Sequence, residues 1–252
     1  MPPSNRLEQR AAALLVTRID HRMGHALFIG AYLPEVAVHL AKSGLTLTVV
    51  ESDRVRLDPF LAVLKDAGLD KTVSVDPRPY AGIEFLTSSY NVIIAWDGIP
   101  QGMATLLFFK KARRELKAGG GVWVRLSVVP RLSGQVPAYD KLKARVPARA
   151  KPALDRAEQK TGSLLSLPTA HDLDTLKQLA ATQLNLEETL PLSILTERLD
   201  RVPGLSGLAA RAAKVLTPLE GRLLSSRAFA PLASSVLLKF AKTREFGHVF
   251  RV

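Results

Sequence analysis

Short apolar runs alternate with amphipathic segments from residue 25 onward, and this rhythm predicts repeated β-α-β units. Apolar runs rich in β-branched residues predict strands, because strands of a parallel sheet are covered on both faces. Segments in which apolar residues recur every three or four positions predict helices. The predicted strands are, in chain order, His25–Gly30, Leu45–Glu51, Thr72–Val75, Tyr90–Ala95, Val122–Val128, Leu184–Leu190 and Ser235–Ala241.

Proline, glycine and capping residues locate the helices between these strands. The predicted helices are one containing Leu7 to Leu15, one from Pro34 to Gly44, one that starts at Asp58–Pro59, one over Ala104–Leu116 that ends in a Gly119–Gly121 turn, and one from Thr169 through Leu179. Such alternation predicts an α/β fold: a doubly wound, mostly parallel sheet of about seven strands with helices on both faces and a closing antiparallel strand.

Composition excludes several classes of protein. The chain has 252 residues, of which 47% are hydrophobic and 23% charged, so a disordered or low-complexity polymer is excluded. It contains no cysteine, which excludes disulfides, thiolate metal sites and cysteine nucleophiles. No apolar stretch approaches the roughly 20 residues that span a bilayer, and the first residues lack the features of a secretory signal. We therefore expect a cytoplasmic protein, or one peripheral to a membrane.

The charge is unusual, because the net value is +12 and the excess is uneven. Residues 1–126 hold 16 basic and 12 acidic residues, whereas residues 127–252 hold 19 and 11. The basic half is consistent with an anionic membrane surface, with nucleic acid, or with a helical cap whose lysines and arginines are simply solvated. Nucleic acid is the weaker choice, since aromatic residues, on which bases stack, are only 6% of the chain.

Four passages resemble class I S-adenosylmethionine-dependent methyltransferases, which have a Rossmann-like fold. They are HALFIGAYLPEVAVHLAKSG (the glycine-rich first motif), VVESD (the acid ending the second strand), FLTSSYNVIIAWDGIP (the fourth strand) and FFKKARRELKAGGGVWVRL (the fourth helix and fifth strand). The resemblance covers residues 20–126 and, more loosely, 169–243. The residue pattern and the resemblance together predict an N-terminal helix (1–24), a cofactor-binding half (25–130), a basic insertion or lid (131–168) and a C-terminal half with a helical cap (169–252).

The resemblance implies S-adenosylmethionine as the cofactor and a small-molecule or lipidic methyl acceptor. Glu51 would accept hydrogen bonds from the ribose hydroxyls, Trp96 would stack on adenine or substrate, and Asp97 is the candidate general base. A glycine after the first strand would let the backbone approach the cofactor. The residues implied to bind the cofactor are Gly30, Ala31, Tyr32, Glu51, Ser52, Ala81, Gly82 and Trp96.

The chain departs from the family pattern at several positions. Gly30 is the only glycine of the first motif, and Ala81-Gly82 stands where the family has an acid that binds the adenine amine, with Asp76 nearby but out of register. A non-catalytic binding or scaffold protein on the same fold is therefore an alternative. A polyamine aminopropyltransferase is a lesser one, because a cationic substrate needs more carboxylates than this basic chain offers. His21 and His25 lack a nearby third ligand, so no metal site is expected.

Overall fold

A computed structural model describes residues 6–19, 24–100, 102–127, 173–193 and 235–243, with a few isolated positions between 144 and 233. The helices are α1 (Arg6–Arg18), α2 (Pro34–Lys42), α3 (Arg54–Asp66), α4 (Thr105–Glu115) and α5 (Leu173–Ala181). The strands are β1 (Gly24–Ile29), β2 (Leu45–Val50), β3 (Val73–Asp76), β4 (Tyr90–Ala95), β5 (Leu116–Ser127), β6 (Asn185–Ser193) and β7 (Ser235–Ala241).

The seven strands form one sheet in the order β3-β2-β1-β4-β5-β7-β6. Strands β1 to β5 pair in parallel. Strand β7 runs the other way, because Lys242, just after its end, exchanges backbone hydrogen bonds with Gly119 and Gly120 near the start of β5. The side chain of Asn185, at the start of β6, also donates to Thr243 at 2.7 Å. The predicted doubly wound sheet with a closing antiparallel strand is confirmed.

The chain divides into two compact units. The first contains residues 1–125, 175–189 and 238–252, and the second contains residues 126–174 and 190–237. The core of the first unit lies on the sheet, where β1, β2 and β4 bury most of their side chains, as the apolar runs predict. Phe109 of α4 packs there between Phe108 of the same helix and Phe240 of β7, at ring-centroid distances of 5.2 and 4.8 Å.

The predicted start of α3 is wrong. The helix begins at Arg54 rather than at Asp58–Pro59, because the Asp53 side chain accepts a hydrogen bond from the Val55 N–H at 2.9 Å and caps the helix earlier. Pro59 therefore lies inside the helix.

The predicted Gly119–Gly121 turn is wrong as well, since all three glycines belong to β5. The strand is irregular here, because its pairing with β4 shifts register between Tyr90 and Val92. A Cβ on Gly120 would lie 2.9 Å from the Asn91 carbonyl oxygen, so glycine permits the close approach of the two strands.

The basic insertion at 131–168, the predicted helix start at Thr169–Asp172 and the helical cap up to Phe229 lie largely or wholly outside the described residues. Within the part of the chain that the structure describes, no helix is both long and apolar enough to cross a bilayer.

Candidate functional site

The carboxyl ends of β1 to β4 meet at one edge of the sheet, because these strands are parallel neighbours. The chain runs outward from β1 through β2 to β3 and then returns to β4 beside β1. Such a reversal of strand order opens a crevice at the carboxyl ends, which is where open α/β sheets bind ligands. Gly30, Glu51, Asp76 and Trp96 end or directly follow these four strands.

Gly30 makes the turn that leaves β1. Its φ is +92°, and its N–H donates to the Val50 carbonyl at 2.9 Å. A Cβ at this position would lie 2.8 and 2.9 Å from two ring carbons of Tyr32. Glycine is therefore required both for the backbone conformation and for the ring that packs over it.

Glu51 is a buried carboxylate with 6% of its surface exposed. One oxygen accepts from the Ala31 N–H at 3.3 Å, and the other accepts from the Asp53 N–H at 2.8 Å. The side chain thereby joins the loop after β1 to the loop after β2. Its position at the end of β2 is the one predicted from the sequence.

Arg56 is a residue of the site that the sequence did not reveal. It comes from the first turn of α3, and its guanidinium lies 3.2 Å from Glu51 and 3.3 Å from Asp53. It donates to the Tyr32 hydroxyl at 2.6 Å and reaches to 3.8 Å from Asp97. Its position follows from the early start of α3, and the Asp53 cap is the sequence signal that could have located it.

We call this group the Arg56 cluster; it consists of Tyr32, Glu51, Asp53, Arg56 and Asp97. Its net charge is opposite in sign to that of the whole chain. Three carboxylates surround one guanidinium, which leaves the cluster net negative in a protein of net charge +12. Burial raises the pKa of the Tyr32 phenol, and the nearby Asp97 carboxylate raises it further. The pKa of Arg56 is raised despite its partial burial, because Tyr32 and the carboxylates favour the charged guanidinium.

Trp96 and Asp97 differ in exposure although they are neighbours at the end of β4. Trp96 is 4% exposed, and the Arg125 guanidinium lies 5.4 Å from its ring centroid. Asp97 has 66% of its side chain exposed and faces Arg56. The structure therefore brings Asp97 into the cluster, whereas Trp96 is buried beside Arg125. Ser52 lies exposed on the loop between Glu51 and Asp53.

The acid at the end of β3 is Asp76. It pairs with Val50 in the sheet, and its carbonyl accepts from the Glu51 N–H at 3.2 Å. Two hydrogen bonds from the Arg78 side chain, at 2.9 and 2.6 Å, lower the pKa of the Asp76 carboxyl. Sequence reasoning set Asp76 aside as out of register, although its place after the β-branched run of β3 puts it at the ligand edge.

Ala81 and Gly82 lie apart from the cluster. They belong to a short 3-10 turn, Tyr80–Gly82, and both are exposed. Ala81 lines a cavity together with side chains of α4, and none of the described lining residues belongs to the cluster. Among the described residues, no group of three or more histidine, aspartate or glutamate side chains could hold a metal ion.

No protein-family model matches the chain, and no curated protein matches it in sequence. Solved structures do match. A geranyl diphosphate C-methyltransferase from Streptomyces coelicolor, solved with Mg²⁺, geranyl-S-thiolodiphosphate and S-adenosyl-L-homocysteine, has a TM-score of 0.58 at 12% identity, covering 94% of this chain and 77% of its own. A candidate S-adenosylmethionine-dependent methyltransferase from Listeria monocytogenes has a TM-score of 0.55 at 11% identity, with coverages of 94% and 97%.

The [4+2]-cyclase SpnF also matches, with a TM-score of 0.55 at 13% identity, covering 93% of this chain and 81% of its own. At such identities the likeness establishes the fold: the chain has the Rossmann-like fold of class I methyltransferases. Because a cyclase shares this fold, the chemistry has to be argued from the site.

Proposed function

We propose that this chain is an S-adenosylmethionine-dependent methyltransferase that acts on a small or apolar acceptor. The buried carboxylate of Glu51 at the end of β2, held against the loop after Gly30, is the observation that carries the proposal. An acid at this place in a nucleotide-binding sheet accepts hydrogen bonds from ribose hydroxyls. The solved structures with this fold include methyltransferases, one of them solved with S-adenosyl-L-homocysteine.

The charge of the cluster also suits this cofactor. S-adenosylmethionine carries a sulfonium cation, and the Arg56 cluster offers three carboxylates against one guanidinium. Opposite charges within a few ångströms attract most strongly where water is partly excluded, as at the buried Glu51. The basic surface of the rest of the chain would repel such a cation, so this edge of the sheet is favoured over other surfaces.

Methyl transfer does not require covalent catalysis by the protein. The cofactor, when bound, supplies an electrophilic methyl group, and the protein orients the acceptor for an in-line approach. Asp97 is exposed and follows β4, so it is placed to accept a proton from an acceptor that loses one. Glu51 holds the nucleoside part, and the Tyr32 ring, which packs over Gly30, closes one side of the crevice.

The Arg56 guanidinium contacts both carboxylate oxygens of Glu51, at 3.3 Å from Oε1 and 3.2 Å from Oε2. This contact competes with the binding of a ligand by Glu51. Glu51 can accept two ribose hydroxyls only when Arg56 gives up part of this contact. The Arg56 side chain is 40% exposed, so it has room to turn toward solvent. If Arg56 holds its place, the chain fits the alternative of a non-catalytic binding protein on the same fold.

Titration calorimetry with S-adenosylmethionine and S-adenosylhomocysteine tests the proposal. We expect saturable binding of both, and at least a tenfold loss of affinity in Glu51→Gln, since a hydrogen bond to a charged group contributes about 1.5–3 kcal/mol and about 1.4 kcal/mol is tenfold. Asp66→Asn is the matched control, because Asp66 is an exposed acid at the other end of α3. Folded wild-type protein that binds neither compound at millimolar concentration would reject the proposal in favour of the non-catalytic alternative.

A further inference from the structure

A cavity of about 660 Å³ lies along α4, and none of its described lining residues belongs to the Arg56 cluster. Among its described lining residues, five basic side chains stand against a single acidic one, Glu84. We call it the α4 groove; its apolar lining includes Ile83, Met103 and Leu107, and its basic lining includes Lys110, Arg114 and Lys242.

The α4 groove reaches the edge of the sheet opposite the candidate reaction site. Gln183, which lines it, comes just before β6, and Lys242 comes just after the antiparallel β7. Arg114 lies in the last turn of α4, which leads directly into the start of β5. These positions belong to the amino-terminal edge of the parallel strands, whereas Gly30 and Glu51 lie at the carboxyl edge. This end of the α4 groove is therefore separate from Gly30 and Glu51.

Two apolar side chains near the groove are exposed to solvent, although apolar side chains of a helix are usually buried. Leu106 and Leu107, in the first turn of α4, are 41% and 56% exposed, while Phe108 and Phe109 take the buried face of the helix. Leu107, Lys110 and Arg114 follow one another at helical spacing, so an apolar contact and two positive charges form one stripe. An exposed apolar surface bordered by charge is typical of an interaction site.

The charges of this stripe are available to a partner. Neither Lys110 nor Arg114 forms an ion pair with any carboxylate in the part of the chain that the structure describes, whereas Lys111 lies 2.9 Å from the buried Glu115 and is neutralised. Lys242 is held in place because its ammonium donates to the Leu116 carbonyl at 2.8 Å. The groove therefore presents positive charge beside apolar surface, and part of that charge is fixed in position.

Several contacts join the two sides of the groove. The Tyr80 hydroxyl donates to the fully buried Glu115 at 2.7 Å, and the Lys111 ammonium donates to the Ile83 carbonyl. The same ammonium lies 4.8 Å from the Tyr80 ring centroid. These contacts join the 3-10 turn to α4. A ligand that binds here therefore loses little affinity to the ordering of side chains.

We propose that the α4 groove binds an acidic, amphipathic segment of a partner protein. A concave surface accepts a convex chain segment better than it accepts a flat bilayer, and apolar anchors with flanking acids complement Leu107 and its basic neighbours. A single-stranded nucleic acid is disfavoured, because none of the lining residues that the structure describes is aromatic and bases bind by stacking.

The proposal is tested by selecting, from a displayed library of random peptides, those that bind the wild-type protein. The readout is the amino-acid composition of the enriched peptides. We expect the enriched peptides to carry an excess of aspartate and glutamate with apolar residues at helical spacing. Synthetic copies, measured by fluorescence anisotropy, should lose at least tenfold in affinity for the Lys110→Glu, Arg114→Glu double variant and several-fold for Leu107→Ser. Affinity should also fall as salt rises, because the charged pairs are at the surface.

Lys65→Glu is the matched control, since Lys65 is an exposed lysine near the end of α3 and outside the groove. Circular dichroism should show the variants folded, because the two basic side chains are exposed. Phosphatidylserine vesicles and polyuridylate are tested on the same variants. Enriched peptides that lack acidic residues or bind the double variant as tightly as wild type would overturn the proposal. Vesicles or polyuridylate bound more tightly than any peptide, in a groove-dependent way, would overturn it too.

Discussion

Replacing Gly30 with alanine tests whether the turn after β1 is built around the Tyr32 ring. Gly30 has a φ of +92°, and its added Cβ would lie 2.8 Å from the ring. The ring must then move, although its hydroxyl accepts a 2.6 Å hydrogen bond from Arg56. Gly68 is a matched control, because its φ is +71° and a Cβ there would meet no atom within 4 Å.

The magnitudes of the two substitutions should differ. Gly68→Ala carries only the backbone strain of a positive φ, about 1–2 kcal/mol. Gly30→Ala adds overpacking, about 1–3 kcal/mol, and the weakening of a hydrogen bond to a charged group. We therefore expect Gly30→Ala to lower the free energy of unfolding by about 3–5 kcal/mol.

Urea denaturation followed by circular dichroism measures both losses. A double variant sharpens the test: when Tyr32→Ala removes the ring, the further cost of Gly30→Ala should fall to about the value found for Gly68→Ala, 1–2 kcal/mol. Equal losses for Gly30→Ala and Gly68→Ala, to within about 0.5 kcal/mol, would refute the reasoning, because the ring would then move freely.

Three further predictions concern contacts of Glu115, Asp76 and Arg56. Tyr80→Phe deprives the buried Glu115 of a donor, so we expect a loss of about 1–3 kcal/mol in the free energy of unfolding, measured in urea. Arg78 lowers the pKa of Asp76 in the folded state, so the ionised Asp76 stabilises the fold above the ordinary carboxyl pKa of 3.8. This stabilisation is lost as the pH falls below that value. The Tm difference between wild type and Asp76→Asn should therefore vanish in acid. Arg56→Met removes a competing cation, so calorimetry should show several-fold tighter S-adenosylmethionine binding; unchanged or weaker binding would contradict this.

The fold could be predicted largely from the sequence, because buried strands are continuous apolar runs. The bounds of β4 and β7 agree with their predicted ranges, Tyr90–Ala95 and Ser235–Ala241. The errors arose where two local signals competed. Asp53 caps α3 before Asp58 can, and Gly120 serves strand contact rather than a turn.

The candidate site could be predicted only in part. Gly30 and Glu51 follow their strands, so the topology alone brings them together. Arg56 depends on where α3 begins, and that error hid its contact with Glu51. Ala81 is predicted from the sequence to lie at the candidate site, but it lines the α4 groove. It lies in a loop, where no periodic pattern in the sequence indicates the position of a residue.

A crystal structure with S-adenosylhomocysteine tests the central claim most directly, because it shows where the nucleoside lies. We predict that the ribose hydroxyls lie within hydrogen-bonding distance of the Glu51 carboxylate and that Arg56 has left part of its contact with that carboxylate. Ligand density elsewhere on the protein, with Arg56 still holding both oxygens of Glu51, would contradict the claim.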